Sequence, residues 1–298
     1  MHSVWTPIAV LAMMGLFSTP ATAEREVETL EPTSAWHLDY GVEYCSLVRT
    51  FGSDEAPVVF RIDSFGNLPF YDVTLVGAQV PEGWQVYDMA LQGSADAKRR
   101  DFYAYPGVTD GVASIKGVYT FTAKEFISPE QRKRGRPFGM PMISGDVVDE
   151  AYEAATDRLD FLFRGGITLS LKTGSLAAPM QAMRTCIDDL QRQWGVDPQT
   201  RRNLSEVPAP PKMIGRDLWD FYRSSGLYRE QAGMVPFRVR VAADGTASDC
   251  VVQAPSVSKE LDEAVCELFS QDYRPAEDAE NRPVESIYQS AIMFIPIR

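Results

Sequence analysis

Histidine is almost missing from this chain: there are two, His2 and His37, among 298 residues. His2 falls in a stretch that reads as a leader, so any Ser-His-Asp or Cys-His site would have to be built on His37. His37 sits beside Leu38 and Asp39 in an alternating run and reads as a strand residue. The G-x-S-x-G, H-E-x-x-H, Walker-A and dinucleotide glycine patterns are absent as well. Positive charge is scarce: 29 Lys and Arg stand against 41 Asp and Glu, for a net charge of −12 and a pI near 4.7. Such a chain repels phosphate, which excludes general nucleic-acid binding. Cysteine is sparse, at four residues, and none lies in a C-x-x-C pair, so neither a zinc knuckle nor a thioredoxin-like redox site is indicated. No cofactor and no metal is implied by any motif.

Long apolar runs are missing too. The longest at the start, Pro7 to Phe17, is uncharged but short of the roughly 20 residues that span a bilayer. Small residues at Ala21 and Ala23 follow it, in the Ala-x-Ala pattern of signal-peptidase cleavage. Residues 1–23 therefore read as a signal peptide, with Glu24 opening the mature chain and no integral membrane segment after cleavage. Export agrees with an even cysteine count. Four cysteines allow three pairings. Locality favours Cys250 with Cys266, which leaves Cys45 with Cys186.

What is present is a core-forming chain, 45% hydrophobic and 23% charged. Glu24 to Pro32 is charged and reads as a loose leader. Strand patterns follow at Trp36–Phe51, Pro57–Asp63 and Phe70–Val76, where Val58, Phe60 and Ile62 alternate with Val59 and Arg61. Trp84–Leu91 and Ala113–Ala123 are further strand candidates, and Tyr103–Gly107, with its Pro-Gly, reads as a turn. Gln131–Pro137 is a basic loop. Asp146–Ala155 reads as a short acidic helix. Leu159–Phe163 and Gly166–Leu171 form a hairpin through Arg164-Gly165-Gly166. Ser175 then caps a helix to Trp194 whose stripe is Leu176, Met180, Met183, Ile187, Leu190 and Trp194. Residues 24–197 thus read as a mostly antiparallel β domain with a C-terminal helix clamped on it. Residues 198–213, with Pro198, Pro208, Pro210 and Pro211, read as a stiff linker.

Residues 214–298 read as a second, small unit, so the fold class is α+β. A segment Gly215–Tyr228 precedes a strand in which Val235, Phe237, Val239 and Val241 point one way and Pro236, Arg238 and Arg240 the other. Asp244-Gly245 supplies a tight hairpin, and a strand through Cys250 follows. A helix from Ser258 carries Leu261, Ala264, Val265 and Leu268 on one face, with Cys266 off its centre. The closing strand, Ser286 to Ile295, is apolar on both faces. A single helix layer covers one of them, so the other requires a neighbouring domain, a second copy or a partner.

The run Val235 to Cys250 with its Asp244-Gly245, then Leu261-Asp262-Glu263-Ala264, Tyr273-Arg274-Pro275-Ala276 and Arg282-Pro283-Val284, resembles the C-terminal domain of TonB energy transducers. The resemblance covers about residues 215–298. It implies a periplasmic, non-enzymatic domain of a Gram-negative envelope that pairs its last strand with an extended segment of an outer-membrane transporter. Carried over, the partner-binding strand is Ser286, Ile287, Tyr288, Gln289, Ser290, Ala291, Ile292, Met293, Phe294 and Ile295. This sequence departs from energy transducers in having a cleavable leader where they have a membrane anchor, a short linker in place of a long spacer, and an extra N-terminal domain. Two other readings stay open on the residues alone. One is an envelope homodimer closed through the same strand; the other is a hydrolase built on carboxylates.

Overall fold

A computed structural model describes residues 27–68, 70–80, 89–95, 100–101, 103–109, 111–119, 121, 148–163, 167–211, 214–224, 233–256 and 258–294. The leader at 1–23, Trp84–Asp88, the loop Gln131–Pro137, the turn Arg164–Gly166 and Ile295 lie outside the described residues. The elements run β1 (Val27–Leu30), β2 (His37–Tyr40), β3 (Cys45–Gly52), β4 (Pro57–Ser64), β5 (Tyr71–Gly77), β6 (Met89–Gly93), β7 (Arg100–Asp101), β8 (Tyr103–Thr109) and β9 (Val112–Tyr119). They continue as α1 (Glu150–Ala155), β10 (Leu159–Phe163), β11 (Thr168–Leu171), α2 (Ala177–Gln193), α3 (Pro198–Arg202) and α4 (Ile214–Ser224). The last are β12 (Gly233–Val241), β13 (Ala247–Val252), α5 (Lys259–Phe269), β14 (Ala276–Glu277), β15 (Pro283–Val284) and β16 (Ser286–Phe294). The fold class is α+β, with sheets that are mostly antiparallel.

The N-terminal part is built on a six-stranded sheet of order β2-β3-β4-β5-β9-β8 and a five-stranded sheet of order β1-β11-β10-β6-β7. The alternation in β4 decides their packing: Val58, Phe60 and Ile62 are fully buried, and Phe60 meets Phe161 of β10 edge to face at 5.8 Å. Helix α2 lays Met180, Met183, Ile187, Leu190 and Trp194 into the same cluster. A disulfide from Cys186 to Cys45 of β3 fixes it there, with the Cα atoms 6.1 Å apart. The start of α2 differs from the sequence reading. Leu176, not Ser175, holds the cap position, and it makes no side-chain cap bond. The Ser175 hydroxyl accepts from the Ala177 N–H at 3.4 Å and donates to the Ala154 carbonyl at 3.1 Å, tying α1 to α2. Glu153 of α1 is 2% exposed and takes Arg184 of α2 on both oxygens, at 2.8 and 2.9 Å.

Two segments read as irregular are strands. Val27–Leu30, expected to be a loose leader, pairs in parallel with β11; its backbone is held although only Leu30 is buried. Tyr103–Thr109, expected to turn at Pro106-Gly107, pairs along its length with β9. Proline is tolerated there because β8 is the last strand of its sheet and owes no ladder bond on its outer side.

The C-terminal part is a three-stranded sheet of order β13-β12-β16, with α5 on one face. Ser258 caps α5, its hydroxyl accepting from the Leu261 N–H at 3.3 Å. The hairpin between β12 and β13 needs glycine at one position, since Gly245 has φ +91° and a Cβ there would lie 2.3 Å from the Tyr273 carbonyl oxygen. That approach is used, because the Tyr273 N–H donates to the Gly245 carbonyl at 2.8 Å and anchors the exit of α5 on the turn. Asp244 accepts from the Thr246 N–H at 2.9 Å, a turn role. The segment 198–211 is ordered by short contacts: Asp197 caps α3, and Glu206 and Ala209 bridge to Glu277 and Arg274. No helix among the described residues is long and apolar enough to cross a membrane.

Candidate binding edge and the seam beneath it

Strand β16 pairs with β12 in unbroken antiparallel register over nine residues, from Ser286↔Val241 to Phe294↔Gly233. Among the described residues it has no strand partner on its other side, so it is the edge of the described sheet. The main-chain groups that face outward follow from two bonds. Pro236 gives its carbonyl to the Gln253 N–H on the β13 side, so Val235, Phe237, Val239 and Val241 turn theirs toward β16. Their opposite numbers are Ile292, Ser290, Tyr288 and Ser286. Ile287, Gln289, Ala291 and Met293 therefore direct N–H and C=O away from the sheet. The second bond agrees, since the Ile287 carbonyl accepts from Arg201 of α3 at 2.9 Å. Burial lowers the Arg201 guanidinium to about 10. Outward of that capped carbonyl, Gln289, Ala291 and Met293 pair with no further strand among the described residues, and Ala291 itself is 1% exposed.

The opposite edge is unlike it. The β12–β13 register shifts between Arg238 and Arg240, Asp249 has a left-handed φ of 51°, and the Cys250–Cys266 disulfide pins β13 to α5. Bulges and pinning of this kind make an edge a poor template for another strand.

Both faces of β16 are occupied. On the helix side, Tyr288 and Ile292 join Phe237, Val265, Phe269 and Tyr273. The Phe237 and Phe269 rings lie 4.4 Å apart, and Tyr288 is 5.2 Å from Tyr273. Burial raises the Tyr288 hydroxyl, so it stays neutral at ordinary pH. The other face lies on the N-terminal part of the same chain. Ile287 enters the large N-terminal cluster, and Ala291 and Met234 pack with Phe65, Leu68, Phe70 and Val118. The neighbour that the two-sided apolar pattern required is thus the loop between β4 and β5.

Polar side chains fix that seam. Gln289 donates to the Phe65 carbonyl at 2.6 Å and accepts from the Asn67 N–H at 3.1 Å. Gln253 donates to the Phe65 and Glu43 carbonyls at 3.0 and 3.2 Å. Arg238 forks onto Glu43 at 2.7 and 2.8 Å, with the two side chains 10% and 18% exposed, and its guanidinium lies 5.1 Å from the Trp194 ring centroid. Arg240 donates to the Trp194 carbonyl at 2.7 Å. Gly66 is required here: its φ is +103°, and a Cβ would come within 2.4 Å of the Gln289 amide nitrogen.

Of the sequence-derived candidates, the four cysteines form the Cys45–Cys186 and Cys250–Cys266 bridges, and Ser286 to Phe294 make up the edge strand. Sequence reasoning missed Arg201, Gly66 and the Glu43–Arg238 pair. The even spacing of Arg238 in β12 placed it on the face away from the helix, but within its own strand that face carries Pro236, Arg238 and Arg240 and gave no sign of being buried. His37 is exposed on the edge strand β2. Asp188 and Asp189 diverge on α2, to Arg202 and Arg192 respectively. No cluster of His, Cys, Asp and Glu among the described residues is arranged to hold a metal ion. No family model, no curated protein and no solved structure matches the chain.

Proposed function

We propose that this chain is an exported, non-enzymatic binding protein of the bacterial periplasm that takes up an extended protein segment by strand addition along β16. The observation that carries this reading is the asymmetry of the C-terminal sheet. One edge is bulged and disulfide-pinned, while the other is a regular nine-residue strand that pairs with no further strand among the described residues. An added strand gains main-chain hydrogen bonds there at little ordering cost, because both faces of β16 are already packed. The TonB-like order of the C-terminal segments points to the partner class, a periplasm-facing segment of an outer-membrane transporter. The N-terminal part serves in this reading as the rigid base on which the receiving strand is laid.

The test uses the mature chain and solubilised outer membranes. The wild-type chain captures a transporter, identified by mass spectrometry. Ala291→Pro, which deletes an outward N–H without touching the β12 ladder, loses that capture while circular dichroism shows it folded. Equal capture by the two proteins would sink the proposal. Self-association through the same edge gives a different signature, a mass that rises with concentration and is lost in the same variant.

A further inference from the structure

The loop that supports β16 is the tip of the β4–β5 hairpin, and the rung that closes this hairpin is a pair of carboxylates. Asp63 on β4 and Asp72 on β5 are direct cross-strand partners. One residue beyond Asp63 the chain enters Ser64 and Phe65, and Asp72 follows the return of the same loop through Phe70 and Tyr71. Side chains in such a pair have Cβ atoms about 5 Å apart, and like charges in that position repel. Asp63 is 7% exposed and accepts from the Arg61 Nε at 2.6 Å. Asp72 has a fully buried Oδ1 with no hydrogen-bond donor. The ionised form of Asp72 is thus under-solvated at one oxygen and faces a second carboxylate.

The polar groups around the pair pull it toward the ionised form, and burial opposes them. Ser46 of β3 lies opposite Asp63, and Lys116 of β9 lies diagonal to the rung, opposite Thr74. Arg61 is shared, since it ion-pairs with Asp63 and lies 5.3 Å from the Tyr44 ring. Arg238 of the C-terminal part is matched to Glu43. Burial first, and then Asp63, push the Asp72 carboxyl up to about 8, against Lys116, the Gly117 amide and Arg61. Burial also raises Asp63, with Arg61 pulling it back.

We propose that the Asp63–Asp72 rung is a proton-controlled latch, which holds the tip at Phe65, Leu68 and Phe70 closed under β16 while the pair keeps one proton and releases it when both carboxylates ionise. The consequence is mechanical. The tip supplies the Phe65 carbonyl and Asn67 N–H that grip Gln289, and the Phe65, Leu68 and Phe70 side chains that cover Ala291 and Met234. Splaying the rung withdraws both sets from the face of β16. The latch does not depend on what binds the free edge, because it acts on the packed face of the strand.

The experiment is a methyl NMR titration of the full mature chain labelled at methionine. Met234 and Met293 report on the seam, whereas Met180 and Met183 report on the N-terminal core. In wild type the Met234 and Met293 signals move from buried to exposed positions in a one-proton step centred near pH 8, while Met180 and Met183 stay in place. In Asp72→Asn, which is neutral at every pH, the seam signals remain buried to pH 9. Should that variant fail to fold, Asp72→Ser replaces it. The proposal is overturned if wild-type seam signals stay buried through pH 9. Motion of all four methyls together, or a neutral variant with the wild-type midpoint, overturns it equally.

Discussion

At the scale of single residues, the seam holds a charge pair that one substitution would leave unmatched. Arg238 and Glu43 are both largely buried and paired through two hydrogen bonds. Removing one partner strands the other charge, so Arg238→Ala should cost about 3 kcal/mol, read as a lower urea midpoint. The double variant Arg238→Met with Glu43→Leu should recover much of that loss. Gly66 combines a left-handed φ with a close approach to Gln289, and Gly66→Ala should destabilise by about 1–3 kcal/mol. Asp72 sets a pH dependence of a particular sign. Its carboxyl is raised to about 8 in the fold, against about 3.9 in an unfolded chain. Between these values the folded state binds more protons, so its contribution is fully present below about pH 4 and is lost as pH rises toward 8. Urea unfolding at pH 5, 7 and 9 should show stability falling with pH in wild type and a flatter profile in Asp72→Asn.

At the scale of elements, legibility in the sequence followed how much of each element's fate is local. β4 and β12 announce themselves by strict alternation, Val58-Phe60-Ile62 and Val235-Phe237-Val239-Val241, because each has one face on a core. The helix α5 announces itself by Ser258 and an apolar stripe. β1 and β8 do not, since their strand state comes from β11 and β9 beside them, and a charged Val27–Leu30 or a Pro106-Gly107 carries no periodic signal of its own. The candidate edge was legible as a strand with two apolar faces. What covers the second face was not, because Phe65 and Asn67 lie over 200 residues away in sequence and grip it through Gln289, a residue type that usually means solvent. A prediction at this scale concerns the blunted edge. Cys250 and Cys266 close a loop with a sequence separation of 16, and replacing both with Ala should lower stability by about 3 kcal/mol. Amide exchange should then rise most in β13 and least in β16.

At the scale of the whole molecule, the two parts are joined less by the segment 198–211 than by β16. That strand places Ile287 in the N-terminal core and Tyr288 in the C-terminal one, and among the described residues no further strand pairs with its outer edge. A binding strand fixed on both faces loses little entropy when a partner strand pairs with it. The account stands or falls on where a partner segment binds. The most direct measurement is an amide NMR titration of the mature chain with synthetic peptides copied from periplasm-facing segments of outer-membrane transporters. The account predicts saturable shifts centred on the outward amides of Gln289, Ala291 and Met293, with Ser290 and Ile292 changing less. Shifts centred on β13, or none on β16 at saturating peptide, would contradict it.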